Sequence, residues 1–268
     1  MTAKTLVVPL DGSEYAERAL PVAEALVGRI GGSLLLVSAQ YHGPLEPRAY
    51  LEERAALHDS CPVEVLATKE TYPAQMIADA VGAGDDRVVC MTTHGRGRFR
   101  WAALGSVAED VIRRGDRPVI LVGRNCRTDF LDRSTHLVAC SDGDDSNELA
   151  PATRAWAELL GLDLRVVVVV HPLDVESAEH SGTLGEMATR FGGLVPSNAT
   201  MIRSSFPSGA LADYADELPA AILAMNCHAR SGLARFVLGS TTMSVLHLAS
   251  CPLLVTHRMS GSSASTPE

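Results

Sequence analysis

Apolar runs of six or seven residues alternate with amphipathic stretches along the chain. The runs are almost continuously hydrophobic, as expected for strands buried on both faces of a parallel sheet. In the first half they predict strands at residues 4–10, 33–39, 62–67, 87–92 and 117–122. The stretches between them have a helical period and predict helices at residues 14–31, 47–58, 73–83 and 106–115. This alternation is typical of a doubly wound α/β fold with a five-stranded parallel sheet.

The second half of the chain repeats the order of the first. THLVACSDGDD, from residue 135, corresponds to KTLVVPLDGSE, from residue 4, and CPLLVTH, from residue 251, corresponds to RPVILVG, from residue 117. Corresponding positions lie 131 to 134 residues apart, as for Asp11 and Asp142 or Gly105 and Gly239. A near-constant offset indicates that one unit has been duplicated. We therefore expect two tandem α/β domains of the same fold.

The predicted domains are residues 1–125 and 134–258, joined by a short polar segment. The tail at 259–268 is rich in serine and has the composition of a disordered end. The pattern is weakest over residues 172–200, where it favours a helix at 175–191 followed by a loop.

Composition narrows the classes of function. A net charge of −9 opposes bulk attraction to nucleic acid or to an anionic membrane. No apolar run approaches the roughly 18 residues that a membrane span needs, and the first residues lack the pattern of a signal peptide. The six cysteines have no CxxC spacing, so we expect buried thiols in a reducing compartment rather than disulfides or zinc ligands. These features predict a cytoplasmic protein without a nucleic-acid or membrane partner.

Two loops of the first domain are expected to meet at the switch point, where doubly wound sheets bind ligands beyond the carboxyl ends of their strands. The loop at residues 9–13 (PLDGS) follows the first strand, and the loop at 91–106 follows the fourth. The second loop contains three glycines, which permit close backbone approach, and three arginines, which can contact phosphate. It ends with Ser106 at a predicted helix start, where backbone N–H groups favour an anion. The carboxylate of Asp11 can accept a hydrogen bond from a ribose hydroxyl or a base amino group.

Each of these features also has a purely structural interpretation. Ser106 and Glu109 match a capping box, in which Ser106 serves only to start the helix. Asp11 and Ser13 can form a turn and an N-cap before the helix at 14–31. Loop arginines commonly face solvent, and glycine-rich loops alone are a weak signal.

Several other kinds of chemistry lack their motif. The only lysines are Lys4 and Lys69, and neither follows a glycine, so a P-loop is excluded. No GxGxxG follows the first strand, and no GxSxG nucleophile elbow occurs. The acidic residues near Asp142 do not have the spacing of a calcium loop. We predict neither a dedicated metal site nor a catalytic residue.

The ordered combination of VVPLDGS with MTTHGRGRFRWAALGSVAEDVI and RPVILV resembles the universal stress protein family, and the resemblance covers both halves from about residue 4 to residue 257. Nucleotide-binding members carry Gly-x2-Gly-x9-Gly-Ser/Thr. The matching positions hold Thr92, Gly95, Gly105 and Ser106, so a threonine replaces the first glycine. The resemblance implies that the adenosine is bordered by Pro9, Leu10, Asp11, Ala39 and Met91. It implies that the phosphates face the backbone of Gly95, Arg96, Gly105, Ser106 and Val107.

The second domain departs further from the family pattern. Its corresponding residues are Asp142, Asn226, Ala229, Gly239, Ser240 and Thr241, so both early glycines of the motif are absent. Ala229 adds a methyl group where backbone should approach the phosphates, and it restricts left-handed conformations. Pro172 stands where the first domain has Ala39. We expect this half to bind nucleotide weakly or not at all.

The resemblance implies an ATP-binding regulator of the stress response that acts through occupancy rather than turnover, with Mg²⁺ carried on the nucleotide. It also implies that the last strands, 117–122 and 252–257, pair across the two halves, and that the chain forms a homodimer and binds a regulatory protein. Two alternatives remain open: a slow ATP hydrolase or adenylyl-transferring enzyme, and a nucleotide-independent protein-interaction module. Turnover distinguishes the first alternative, and nucleotide binding distinguishes the second.

Overall fold

The structure, a computed structural model, describes residues 4–39, 46–69, 71–93, 104–115, 117–131, 135–141, 146–173, 180–192, 194, 196–218, 220–227 and 238–256. The elements of the first half are β1 (Thr5–Pro9), α1 (Glu14–Glu17), α2 (Ala19–Ile30), β2 (Ser33–Ala39), α3 (Pro47–Ala55), β3 (Val63–Thr68), α4 (Pro73–Gly82), β4 (Arg87–Thr92), α5 (Ser106–Arg114) and β5 (Val119–Val122). Those of the second half are β6 (His136–Ser141), α6 (Ser146–Leu160), β7 (Asp163–Val170), α7 (His180–Arg190), β8 (Ala199–Arg203), α8 (Pro207–Glu217), β9 (Ala220–Asn226), α9 (Ser240–Leu248) and β10 (Leu253–Thr256).

The strands predicted for the first half are all present, and no end differs by more than two residues. The prediction of one helix at 14–31 is wrong, because α1 and α2 are separated at Arg18. The Arg18 N–H donates to the carbonyl oxygens of Tyr15 and Ala16, which makes a tighter turn than an α-helix and limits α1 to four residues. The helix predicted at 47–58 ends earlier, at Ala55.

The weakly patterned segment of the second half contains α7, whose range lies inside the predicted 175–191. Residues 174–179 lie outside the described part of the chain. β8 begins at Ala199, near the end of the predicted loop, and is an edge strand that is only partly buried. Its apolar signal is therefore weaker than that of a central strand.

The ten strands of the described residues form one sheet in the order β3-β2-β1-β4-β5-β10-β9-β6-β7-β8. Neighbouring strands within each half are parallel, as predicted. At the centre, β5 and β10 pair antiparallel, with Ile120 opposite Leu254, so the predicted pairing of the last strands is confirmed. The two halves therefore run in opposite directions, and the carboxyl ends of their strands lie at opposite edges of the sheet.

Helices cover both faces of this sheet in two apolar layers. One layer packs α2, α3 and α6 against residues such as Leu6 and Leu137. The other packs α4, α5, α8 and α9 against residues such as Val7 and Val138. Because α2 follows β1 on one face and α5 follows β4 on the other, the chain diverges between β1 and β4. This divergence creates the switch point that was expected for the first domain.

The join between the halves is packed rather than free. The side chain of Asn125 donates to the carbonyl oxygen of His247 at 2.8 Å. The Arg127 N–H donates to the carbonyl oxygen of Ser250, also at 2.8 Å. On the helix face, Arg29 Nε donates to the carbonyl oxygen of Leu160 at 2.9 Å. These contacts, together with the pairing of β5 with β10, hold the two halves of the sheet together.

Candidate functional site

The loop after β1 is built around Asp11. Its Oδ1 accepts hydrogen bonds from the Ser13 N–H at 3.0 Å and from Ser13 Oγ at 2.6 Å. Ser13 Oγ in turn accepts from the Ala16 N–H at 3.2 Å and caps α1. Gly12 between them has a φ of 80°, a left-handed conformation that favours glycine. The structural interpretation of Asp11 and Ser13 as a turn and an N-cap is therefore confirmed, and it fixes the half-exposed carboxylate at the end of β1.

The loop after β4 ends at an uncapped helix. The N-cap of α5 is Gly105, and within the described residues no side chain caps this helix. Ser106 is already the first helical residue, so the capping-box interpretation of Ser106 is wrong. The Gly105 carbonyl oxygen accepts from the Glu109 N–H at 2.9 Å, and this bond closes the first turn. The first N–H groups of a helix have no partner inside the helix, so the start of α5 can receive an anion.

Thr93 connects the two loops. It follows β4, is only 2% exposed, and its carbonyl oxygen accepts from the Gly105 N–H at 2.8 Å. Its side-chain Oγ1 lies 3.3 Å from the hydroxyl of Tyr15 in a hydrogen bond that either group can donate. Tyr15 belongs to α1, so the loop after β1 and the start of α5 are joined through one threonine. Sequence reasoning did not identify either residue, because they are 78 positions apart and neither is one of the matched motif positions.

A second cluster fixes α1 from the other side. Tyr50 on α3 donates to Glu17 Oε1 at 2.8 Å, and Arg54 lies 3.4 Å from Glu17 Oε2. Burial raises the pKa of Tyr50 most, and its bond to Glu17 and the nearby charge of Asp11 raise it further. Tyr50 thus stays a neutral donor and holds α1 beside α3. This cluster was also missed by sequence reasoning.

The remaining residues predicted for the first site border the same switch point. Pro9 ends β1, Leu10 is buried, and its N–H donates to the Val37 carbonyl oxygen at 2.8 Å. Ala39 ends β2, while Met91 and Thr92 are buried at the end of β4. Val107 is half-buried in the first turn of α5. Gly95 and Arg96 lie outside the described residues.

The second domain keeps the helix start but has a different strand end. Gly239 is the N-cap of α9, and its backbone conformation (φ −57°, ψ 151°) nearly equals that of Gly105 (φ −62°, ψ 145°). Ser240 and Thr241 open the helix. Asn226, at the end of β9, is 5% exposed. Its Oδ1 accepts from the Cys227 N–H at 3.1 Å and from Thr256 Oγ1 at 3.2 Å, so this side chain is bound into the sheet. Asp142 and Ala229 fall outside the described ranges.

The thiols and acidic groups form no second chemical centre in the described part of the chain. All six cysteines are free, and five are buried, as the sequence predicted; Cys61 is half-buried. Burial raises the pKa of Cys126 to about 12 and keeps this thiol protonated. Among the described residues, no group of three His, Cys, Asp or Glu side chains can hold a metal ion. None of the helices described is long and apolar enough to cross a bilayer.

Comparison with known proteins gives a family match in both halves. The model of the universal stress protein family matches residues 2–123 and 135–257. A search of curated proteins gives no significant match.

The similar solved structures include whole tandem chains. A universal stress protein from Archaeoglobus fulgidus DSM 4304 is 18% identical, with a TM-score of 0.69 over 97% of this chain and 100% of that chain. A functionally unknown protein from Pseudomonas aeruginosa PAO1 is 15% identical, with a TM-score of 0.67 over 96% of this chain and 93% of that chain. A universal stress protein in complex with cAMP is 22% identical, with a TM-score of 0.38 over 47% of this chain and 99% of that chain. At these identities the first two similarities establish the fold alone.

Proposed function

Since the chain belongs to the universal stress protein family, we propose that it binds ATP, with Mg²⁺ on the phosphates, in its first domain and regulates a stress response through nucleotide occupancy. The observation that carries the proposal is the uncapped start of α5 beside the Asp11 turn. A helix start that can bind an anion and a fixed carboxylate lie at neighbouring strand ends. This arrangement suits a ligand with phosphates at one end and hydroxyl or amino groups at the other.

The phosphates would lie at the start of α5. Gly105 is the N-cap, and the N–H groups of Ser106 and Val107 belong to the first turn, where the helix dipole favours negative charge. Each such interaction contributes about 0.3–1 kcal/mol at an exposed helix end. Several N–H groups and the divalent ion carried with ATP would therefore act together. The described residues supply no metal cage of their own, so the ion is expected to come with the nucleotide.

The adenosine would lie between the ends of β1, β2 and β4. Asp11 is half-exposed and can accept from a ribose hydroxyl, while Pro9 and Ala39 would border the base. Oδ1 of Asp11 already accepts two hydrogen bonds from Ser13, which fits a fixed acceptor better than a mobile general base. We therefore propose binding without appreciable turnover and name no catalytic residue.

The second domain is proposed to bind nucleotide weakly or not at all. Asn226 is buried and bonded to Thr256 at the strand end where the first domain has Thr92. Both early glycines of the motif are missing from this half. The start of α9 retains a suitable backbone, so the deficit is assigned to the loop and the strand end rather than to the helix.

A matched pair of substitutions tests this assignment. Gly105→Glu places a bulky carboxylate at the proposed phosphate position, and we expect ATP binding to be lost. Gly239→Glu makes the same change at a backbone position of nearly the same conformation, where, among the described residues, a Cβ meets only Thr242 Oγ1, at 3.8 Å. We expect that variant to bind ATP like the wild type. Isothermal titration calorimetry with ATP, with cAMP as a competitor, measures the ATP affinity of both variants.

The paired outcomes are decisive because each variant controls for the other. Circular dichroism and urea unfolding first establish that both variants are folded. Unchanged ATP affinity in Gly105→Glu would refute the site. Loss of binding in Gly239→Glu alone would assign the nucleotide to the second domain.

A further inference from the structure

We propose that Tyr15 is a positioning residue that couples the two loops of the first-domain site, so that the two ends of the nucleotide are bound together. The inference rests on the proposed function. It concerns how the site is assembled, and it assigns a role to a residue outside the glycine motif.

Tyr15 is held beside the loop at residues 9–13, which is proposed to contact the adenosine. It lies in the first turn after Ser13, the residue that caps α1 and hydrogen-bonds to Asp11. The guanidinium of Arg18 lies 5.7 Å from the centre of the tyrosine ring, within the range of a cation–π contact. Glu17, in the same four-residue helix, is held by Tyr50. The tyrosine hydroxyl is therefore presented by a fixed helix.

Thr93 belongs to the loop at residues 91–106, which is proposed to contact the phosphates. Its carbonyl oxygen accepts from the N–H of Gly105, the N-cap of α5, and its side chain meets Tyr15. A displacement of Thr93 would therefore move the start of α5 relative to Asp11. One ligand can bind both loops at full strength only if the loops have a fixed separation. If either loop is misplaced, part of the binding free energy is lost.

The second domain has different residues at the positions of this pair. The positions that correspond to Tyr15 and Thr93 are Ser146 and Cys227. A serine lacks the reach of a tyrosine, and a cysteine lacks a hydroxyl. The Cys227 N–H instead donates to Asn226 Oδ1 and to the Thr256 carbonyl oxygen. The half with the degenerate motif is thus also the half without the coupling pair.

The expected effect is moderate. A separation of 3.3 Å is long for a bond between two hydroxyls. Removal of one such bond corresponds to a loss of about three- to tenfold in affinity. We therefore expect Tyr15→Phe to weaken ATP binding by about that factor, and not to abolish it.

The test compares three probes in the full-length protein: ATP, adenosine and inorganic tripolyphosphate. Because the bond joins the two loops, Tyr15→Phe should lower the affinity for ATP while the affinities for adenosine and tripolyphosphate change less than about twofold. Thr93→Val should reproduce this pattern, and Thr93→Ser, which keeps the hydroxyl, should restore near wild-type binding. If Tyr15→Phe lowered the affinity for adenosine as much as the affinity for ATP, the effect would be local to the first loop, and the proposed coupling would be overturned.

A matched control comes from the second domain. Tyr214 and Thr200 form the same kind of pair, with their hydroxyls 3.2 Å apart on α8 and β8. Tyr214→Phe should cost similar stability in urea unfolding but leave ATP affinity unchanged. An equal loss of ATP affinity in both variants would mean a general loss of stability and would overturn the role of Tyr15.

The two levels of inference fail in different ways. If the wild-type protein binds no ATP, the proposed function fails, and the role of Tyr15 fails with it. If the wild type binds ATP and Tyr15→Phe binds equally well, only the role of Tyr15 fails.

Discussion

At the scale of single residues, Gly123, in the join between the halves, provides a prediction. A Cβ at this position would overlap the carbonyl oxygen of Leu246 on α9. We expect Gly123→Ala to lower the free energy of unfolding by about 1–3 kcal/mol, as for other overpacked sites. Urea unfolding followed by circular dichroism measures the change.

The control for Gly123 is the same substitution at Gly28. This exposed glycine lies inside α2, and among the described residues a Cβ there has no neighbour within 4 Å. Gly28→Ala should therefore stabilise the protein by about 0.5–1 kcal/mol, through helix propensity. Equal effects of the two substitutions would refute the close approach at the join.

The sequence was most informative where a residue has one local purpose. Ser13 and Gly12 were interpretable because a turn and an N-cap involve only their neighbours. Ser106 was misinterpreted as a cap because Gly105 can start a helix without a side-chain bond. Tyr15 and Thr93 were not found, since their contact depends on how distant segments are brought together.

At the scale of elements, periodicity predicted most helices and strands because each buries a regular stripe or a continuous run. The break between α1 and α2 was not predictable, since the apolar period continues through Arg18 and the break accompanies contacts of α1 with Thr93 and with α3. The edge strand β8 was missed for the opposite reason, because partial burial weakens its pattern.

The contact between α2 and the segment before β3 predicts a pH dependence. Glu24 on α2 accepts from Ser60 and pairs with His58 at 2.8 Å. Partial burial raises the pKa of Glu24, but these hydrogen bonds and the charge of His58 outweigh it and lower the pKa below the usual 4.5. A carboxyl whose pKa is lower in the folded state stabilises it above the unfolded pKa, and this stability is lost as the pH falls through the folded value.

We therefore expect the free energy of unfolding to decrease below about pH 4.5, and Glu24→Gln to make that decrease less steep. Urea unfolding between pH 3 and pH 7, at intervals of about half a unit, gives the profile. Glu52→Gln, which removes an exposed pair with Arg48, is the control and should leave the slope unchanged. Parallel profiles for the wild type and Glu24→Gln would contradict this account.

At the scale of the whole molecule, the duplication explains the architecture. Pairing of β5 with β10 covers the edge strand that each half would otherwise expose. Because this pairing is antiparallel, the strands of the two halves end on opposite sides of the sheet, and so do the two switch points. The repeat made two like domains predictable, whereas the pairing of the last strands was expected only from the family resemblance. The homodimer stays a prediction, and it requires a surface other than β5 and β10, because these strands already pair within the chain.

The central claim is that the two like halves differ in function, with one nucleotide site in the first domain. Native mass spectrometry of the full-length protein, titrated with ATP and Mg²⁺, counts the nucleotides bound to each chain. We predict saturation at one ATP per chain, and loss of that ATP in Gly105→Glu but not in Gly239→Glu. Two equivalent ATP molecules per chain would contradict the asymmetry, and none at saturating ATP would contradict the nucleotide site itself.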